Sequence, residues 1–306
     1  MKFFSVGILG NGSAVPTRIQ NPTSQIVQYG KSRFMIDCGE GTQMQVLKYH
    51  FSYKNLNHIF ISHLHGDHFF GLPGLISSFN LYARTEPLYI YGPPALENIL
   101  NELLKVSATR LRYPLHFHAL KGSETLYSTD QFSVLSFPLK HSIPAWGFLF
   151  KEKPEKNRRL KKSFVESYSP GIEEMHKIKN GSDYISADGT CLPNEEITIP
   201  PHKPRSYAYC SDTSFNPEIV TEIKNVSVLY HEATFMNDAE DKAAEKLHST
   251  AAQAATIAKM ANAGELLLGH FSARYSDKIP LLEEAKAIFP NSLLTEQGTV
   301  YRIDEY

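Results

Sequence analysis

Apolar residues fall along this chain in two rhythms. Short runs rich in Val, Ile, Leu, Phe and Tyr predict β-strands at residues 3–9, 25–28, 34–36, 58–61, 88–91, 115–119, 132–137, 146–150, 206–210, 226–230 and 266–268. Between them, apolar positions at helical spacing predict helices at residues 43–50, 71–83, 95–106 and 279–288. The first strand ends in the turn signal Gly10-Asn11-Gly12-Ser13, and Gly30 sits where residues 25–28 fold back as a hairpin onto 34–36. Thr250-Ala251-Ala252-Gln253 has a capping-box pattern, and it opens a further helix predicted to stop at Gly264. Apolar strands alternating with helices predict an α/β fold in which helices cover the sheets.

One segment breaks this rhythm. Residues 151–162, KEKPEKNRRLKK, carry seven basic and two acidic residues, a local charge of +5. From there to Pro200 aliphatic residues are thin, and Gly and Pro recur. Such a charge run is either a solvated loop or an arm that leaves the body to grip a polyanion. Over the whole chain 31 basic residues meet 32 acidic ones, which excludes a uniformly basic nucleic-acid binder and confines any such binding to a local patch. The 306 residues are 42% hydrophobic and 21% charged, as in ordinary soluble proteins. A chain of this length buries roughly three quarters of its unfolded surface and needs no covalent staples. Its three cysteines, Cys38, Cys191 and Cys210, have no framework spacing, and no run approaches a signal peptide or a membrane span. The expected location is the reducing cytoplasm.

The strongest chemical signal is Ser62-His63-Leu64-His65-Gly66-Asp67-His68, directly after a predicted strand. With 13 histidines in the chain, H-x-H-x-D-H arises by accident on the order of once in a thousand such sequences. Neutral imidazole and carboxylate suit zinc and similar ions. His63 and His65 can share one ion, while Asp67 and His68 point elsewhere and suit a second. Two ions about 3.5–4 Å apart form a clamp for in-line attack at phosphorus by an acidified water. Four side chains do not close two sites. His141, Asp212 and His270 each lie just past an apolar strand, in the same placement as the first cluster, and are the expected remaining ligands. A carboxylate such as Asp212 can bridge both ions.

These residues resemble the metallo-β-lactamase fold, and further segments narrow the likeness to the short form of ribonuclease Z (tRNase Z). The similar segments are Gly10-x-Gly12 with Pro16, Asp37-Cys38-Gly39-Glu40-Gly41-Thr42-Gln43, the His63 cluster, the His141 segment, His231-Glu232-Ala233-Thr234, His248-Ser249-Thr250 and His270-Phe271-Ser272-x-Arg274-Tyr275. The resemblance implies an αββα four-layer sandwich spanning residues 1–306 as one domain, with a flexible arm inserted at about residues 151–200. It implies a zinc-dependent endoribonuclease that removes the 3′ trailer from precursor tRNA by metal-hydroxide attack, leaving a 3′-hydroxyl on the tRNA. Carried over by position, His63, His65 and His141 hold one zinc, and Asp67, His68 and His270 hold the other. Asp212 bridges the two Zn2+ of each subunit, and Asp67 also assists the hydroxide as a base. His248 donates a proton to the leaving oxygen, and Glu232 orients its ring, since a carboxylate behind an imidazole raises its basicity.

Phosphate contacts are expected from Ser272, Arg274 and the start of the helix capped by Thr250. Asp37, Glu40 and Thr42 read as scaffold that caps a helix or orients ligands. RNA contacts are expected from the arm through Lys151, Lys153, Arg158, Arg159, Lys161 and Lys162, and from Arg18. The family's Pro-x-Lys-x-Arg-Asn loop here reads Pro16-Thr17-Arg18-Ile19-Gln20-Asn21, one charge fewer. The arm's Gly-Pro-rich tip is represented by Ser169-Pro170-Gly171, followed by Ile178-Lys179-Asn180-Gly181. The resemblance also implies a homodimer in which one subunit's arm serves the other's site, with no membrane and no other protein partner. The rival readings are a small-molecule phosphodiesterase or other hydrolase of the same fold, and a metal-free binding module that kept it.

Overall fold

In the computed structural model, which describes residues 2–304, the alternating strands close into two seven-stranded sheets. The first half runs β1 (Phe4–Gly10), β2 (Ser24–Tyr29), β3 (Ser32–Ile36), α1 (Thr42–Lys48), β4 (Leu56–Phe60), α2 (Gly66–Phe69), α3 (Leu72–Leu81), β5 (Leu88–Gly92), α4 (Ala95–Val106) and β6 (Leu115–Ala119). Then follow β7 (Glu124–Ser128), β8 (Phe132–Leu139) and β9 (Ala145–Glu152). The basic insert holds β10 (Arg159–Leu160), α5 (Lys162–Tyr168), α6 (Ile172–Lys179), β11 (Tyr184–Ile185), β12 (Cys191–Leu192), α7 (Asn194–Ile197) and β13 (Thr198–Ile199). The chain resumes with β14 (Ser206–Cys210), β15 (Val228–Glu232), α8 (Glu240–Lys246), α9 (Ala251–Met260), β16 (Glu265–Gly269), α10 (Ile279–Lys286), β17 (Ser292–Leu294) and β18 (Val300–Arg302). Two short 3₁₀ turns, Pro217–Thr221 and Asn237–Ala239, lie on either side of β15.

The first sheet has the order β18-β1-β2-β3-β4-β5-β6 and the second β17-β16-β15-β14-β9-β8-β7. Both are mixed. β3 to β6 pair in parallel, as do β14 to β17, and the remaining pairs are antiparallel. Parallel strands need crossovers: α1, α3 and α4 lie in those of the first sheet, and the Pro217–Thr221 turn, α9 and α10 in those of the second.

Period-two alternation sorts the side chains into three layers. Phe34, Ile36, Phe60, Tyr207, Tyr209, Val228, Tyr230 and Leu267 point between the sheets. Their neighbours Met35, Ile59 and Ile61 point outward onto α3 and α4. Ala208, Cys210, Leu229, Leu266 and Leu268 point the other way, onto α9 and α10. Because both faces of these strands are covered, they read as continuous apolar runs, not as alternation. The expected αββα sandwich is therefore present.

Most sequence-predicted elements appear with small shifts in their ends. The helix opened by Thr250 stops at Met260, short of Gly264, because Asn262 takes the left-handed conformation that ends it. β7, β17 and β18 were not legible as strands. They are short, and β7 and β18 are only partly buried.

The basic insert is not an unstructured loop. Phe164, Ile178 and Ile197 are buried in a small core of their own, flanked by Leu160, Val165, Tyr184 and Leu192. Ser169-Pro170-Gly171, expected at the arm's tip, leads into α6, and Asn180-Gly181, expected after the tip, ends that helix. Gly171 N–H donates to Glu174 at 2.7 Å, and Gly181 adopts φ +106°. The insert is anchored at its root, where Arg205 donates to both oxygens of Glu152 and to the carbonyls of Lys2 and Ile303.

One half-buried histidine carries a pH dependence. His58 on β4 is packed among Phe34, Tyr89, Tyr91 and Tyr127. Burial, with Arg84 adding to it, pulls its pKa from 6.5 to about 4. Between those values the unfolded chain binds this proton and the folded chain does not. Stability from this group is therefore full above pH 6.5 and is lost as the pH falls through 4, by about 2–3 kcal/mol. His58→Gln should reduce proton uptake on unfolding at pH 5 by close to one, measured from the pH dependence of urea unfolding; an unchanged pH slope would count against it.

Candidate metal centre

The chemistry-bearing residues sit where strands end along one rim of the sandwich. His63 follows β4, His141 follows β8, Asp212 follows β14, Glu232 ends β15 and His270 follows β16. Asp67 and His68 lie on the single-turn helix α2. The seven predicted ligands converge into two sets, His63, His65, His141 and Asp212, and Asp67, His68 and His270. Within each set the candidate ligand atoms lie within 4.8 Å of one another.

Asp212 joins the two sets. Its Oδ2 faces His63 Nε2 at 3.5 Å and His141 Nε2 at 3.7 Å. Its Oδ1 faces His68 Nε2 at 3.2 Å and His270 Nε2 at 3.1 Å. His65 enters the first set through Nδ1, at 3.1 Å from His63 and 3.2 Å from His141. Asp67 Oδ2 enters the second at 3.5 Å from both His68 and His270.

Hydrogen bonds on the far side of the rings set which nitrogen faces inward. His68 Nδ1 donates to Asp37 Oδ2 at 2.7 Å, and His141 Nδ1 donates to the Leu247 carbonyl at 2.9 Å. His63 Nδ1 pairs with Ser62 Oγ at 3.0 Å. His270 Nδ1 donates to Thr234 Oγ1 at 2.9 Å, and that hydroxyl passes its own proton to Glu232 Oε2 at 2.5 Å. Leu247 and His270 both hold φ near +55°, a strained backbone that a functional site can justify.

Asp37 was expected as scaffold, and it holds the first loop together. Its carboxylate also accepts from Ser62 N at 2.7 Å, Ser62 Oγ at 2.8 Å and Tyr209 OH at 2.6 Å. The loop after β3 is pressed against the turn carrying Asp67. A Cβ on Gly39 would lie 2.3 Å from the Asp67 carbonyl, so only glycine allows the approach. Thr42 and Glu40 do not cap α1. Gly41 occupies the cap position, Thr42 donates back to the Gly39 carbonyl at 2.8 Å, and Glu40 lines the cleft.

The donor set fits metal ions. Burial, helped by neighbouring histidines, holds His63 and His65 below their ordinary pKa, in the neutral form that ligates. The surrounding histidines outweigh burial at Asp67 and Asp212 and keep both ionised. The Nε2 atoms of His68 and His270 are buried with no hydrogen-bond partner. Both nitrogens face Asp212 Oδ1, at 3.2 and 3.1 Å, without the alignment of a hydrogen bond. A cation between them and the carboxylates fits that arrangement.

His248 stands beside this centre, with ring centroids 5.1 Å from His141 and 5.5 Å from His270. Its Nδ1 donates to Glu232 Oε1 at 2.9 Å, and Glu232 Oε1 also accepts from Thr213 N at 2.7 Å. Burial lowers the His248 pKa, but the Glu232 charge and hydrogen bond outweigh it and raise the value to about 9. Asp212, His248 and His270 also have ligand atoms within reach of one another. A cleft of about 710 Å³ opens over the centre, lined by His65, Asp67, His141, Asp212, His248 and Ser272, with Phe70 and Phe235 among its walls.

The expected RNA contacts are not gathered there. Arg18 is exposed on its loop outside the cleft lining, and Arg274 stacks on Phe235 with its guanidinium 4.9 Å from the ring. None of Lys151, Lys153, Arg158, Arg159, Lys161 or Lys162 lines the cleft. Two of them, half-exposed, also bond within the insert: Arg158 donates to Thr198 at 2.6 Å and Arg159 to the Pro200 carbonyl at 2.9 Å. The start of α9 is also closed to phosphate, contrary to expectation. Its N–H groups are already spent, Thr250 on Gln253, Ala251 on Phe235, Ala252 on Glu284 and Gln253 on Thr250.

The αββα sandwich with this His/Asp centre at its rim is the metallo-β-lactamase fold. The family model described as "Anti-Pycsar protein Apyc1" matches residues 4–153. A ribonuclease Z of Bacteroides fragilis is 47% identical over 97% of this chain and 98% of its own. One of Bacteroides thetaiotaomicron is 46% identical over 100% of this chain and 97% of its own. Among solved structures, human tRNase Z, short form, superposes with TM-score 0.71 at 27% identity, covering 97% of this chain and 98% of that one. The metallo-β-lactamase fold protein YhfI from Bacillus subtilis, 18% identical, shares the fold with TM-score 0.69 over 98% of this chain and 99% of its own. The chain belongs to the ribonuclease Z family and is an endoribonuclease.

Residue reasoning missed Ser62, Thr234 and the Leu247 carbonyl, which fix ligand rings from behind. Asp37→Asn keeps the size of the side chain and disturbs the hydrogen bond to His68. It should weaken metal binding by about 10- to 100-fold in chelator competition; unchanged affinity would show that Asp37 serves folding alone.

Proposed function

We propose that this endoribonuclease removes the 3′ trailer from precursor tRNA, leaving a 3′-hydroxyl on the tRNA and a 5′-phosphate on the trailer. The observation that carries the reading is the division of Asp212, whose two oxygens each face a different group of imidazoles. His63, His65 and His141 would hold one zinc ion, Asp67, His68 and His270 the other, with Asp212 shared. When bound, the ions supply Lewis acidity at the phosphate and acidify water at neutral pH. Asp67 takes the proton of the attacking water. The backbone N–H of Ala14 donates to Asp67 Oδ2 at 2.7 Å and holds it in place.

His248 delivers a proton to the departing 3′ oxygen. Its Nδ1 is committed to Glu232, which leaves Nε2 for the substrate, and the charge of Glu232 keeps the ring protonated. The work of the insert is to bind the body of the tRNA through its outward lysines and phosphate neutralisation. Lys162 is exposed beside Glu166, and Lys156 is exposed at the root. The resemblance of the chain to its family supports a homodimer that works in the cytoplasm, with one subunit's arm reaching the other's cleft. Among the described residues, no helix is long and apolar enough to cross a membrane.

The deciding assay incubates the protein with a 3′-extended tRNA transcript, with and without chelator, and maps the cut to one nucleotide. A single metal-dependent cut at the trailer junction is expected; no cut, or random cuts, would reject the reading. In that assay His248→Ala should lose about 100-fold or more in rate, with a far smaller loss on bis(p-nitrophenyl) phosphate, whose leaving group needs no proton. Equal losses would refute the assignment of His248.

The insert can be removed at its root, because Glu152 N–H already meets the Arg205 carbonyl at 2.9 Å. Replacing residues 154–203 with a short Gly-Ser turn should abolish salt-sensitive tRNA binding and spare the small phosphodiester. Retained tRNA affinity would assign RNA binding to another surface.

A further inference from the structure

The wall of the cleft holds one large apolar side chain that is mostly exposed. Phe70 is 63% exposed, three residues past Asp67, in the cleft that also holds His65, Asp67, His141, Asp212 and His248. Its position is fixed from three sides. The Phe70 N–H donates to the Gly66 carbonyl at 3.0 Å, which ties its backbone to the turn that carries the ligands. Its ring meets the ring of buried Phe69 edge-on, with centroids 4.9 Å apart and planes at 63°. It also lies over Gly66, where a Cβ would come within 2.3 Å of the Phe70 ring. Any side chain at position 66 would push the ring away. The ring is thus held against the peptide between two metal-ligand candidates, His65 and Asp67, and keeps most of its surface free.

An exposed phenyl ring is unfavourable in water, and an anionic phosphate does not cover it. A flat heteroaromatic group does, and an unpaired nucleobase is the flat group that a phosphodiester in this cleft brings with it. Base–aromatic stacking of this kind is worth enough to set binding and tolerates any base. We propose that Phe70 is a stacking platform for a nucleobase next to the scissile phosphate. It is a positioning residue, which presents the phosphodiester to the centre by holding the adjoining base. This rests on the ribonuclease reading above and adds a specific contact to it.

The test pairs Phe70 variants with abasic substrates. Wild type, Phe70→Leu and Phe70→Tyr are assayed on a 3′-extended tRNA and on two copies, each lacking one of the bases that flank the cut. Bound metal is measured alongside. Phe70→Leu, which keeps an apolar side chain against Gly66 but cannot stack, should raise KM on intact RNA on the order of 10- to 100-fold. Its metal content should stay unchanged, and Phe70→Tyr should behave as wild type. On one of the two abasic substrates, wild type and Phe70→Leu should become equal. If Phe70→Leu matches wild type on intact RNA, or if its defect persists on both abasic substrates, the platform is refuted while the ribonuclease reading stands. If wild type cuts none of the three, the reading itself fails.

Discussion

The architecture depends on one electrostatic constraint: five imidazoles and two carboxylates must share a space a few ångströms across without collapsing onto one another. Four of the rings meet it in the same way. Each spends Nδ1 on a fixed partner behind it and turns Nε2 inward, with Ser62, Asp37, the Leu247 carbonyl and Thr234 as the anchors. The carboxylates are held ionised and their oxygens lie against buried imidazole nitrogens, an arrangement into which cations fit. The strained backbones at His270 and Leu247 are part of the same arrangement, since each points one anchor or ligand where a relaxed conformation would not.

The sandwich supplies the rigidity this needs. β4, β8, β14, β15 and β16 each end at a site residue or just before one, so the loops that carry the chemistry start from fixed strand ends. Glu232 then ties the chemistry into one unit. One of its oxygens supports His270 through Thr234 and the other supports His248. The ligand set and the candidate proton donor therefore share a carboxylate, and a change at Glu232 must be felt by both.

The strands that carry the ligands were legible because burial on both faces makes them continuous apolar runs. The ligands were legible because the His63 cluster is improbable by chance and because His141, Asp212 and His270 each follow such a run. What was not legible came from long-range contacts. The capping box at Thr250 could be read, but not that Phe235 and Glu284 fill the rest of that helix start. A lone hydroxyl such as Ser62 or Thr234 carries no spacing signal, and the Leu247 carbonyl carries no side-chain identity at all. The core of the insert escaped notice because Phe164, Ile178 and Ile197 are scattered over short elements with no sustained period. Arg158 and Arg159, expected as RNA contacts from their charge, also brace the insert through Thr198 and the Pro200 carbonyl, bonds that the sequence did not reveal.

The account is tested most directly by anomalous diffraction at the zinc edge from crystals grown with zinc. It predicts two peaks, one on either side of the Asp212 carboxylate, one among His63, His65 and His141 and the other among Asp67, His68 and His270. A single peak, or density away from Asp212, would contradict it.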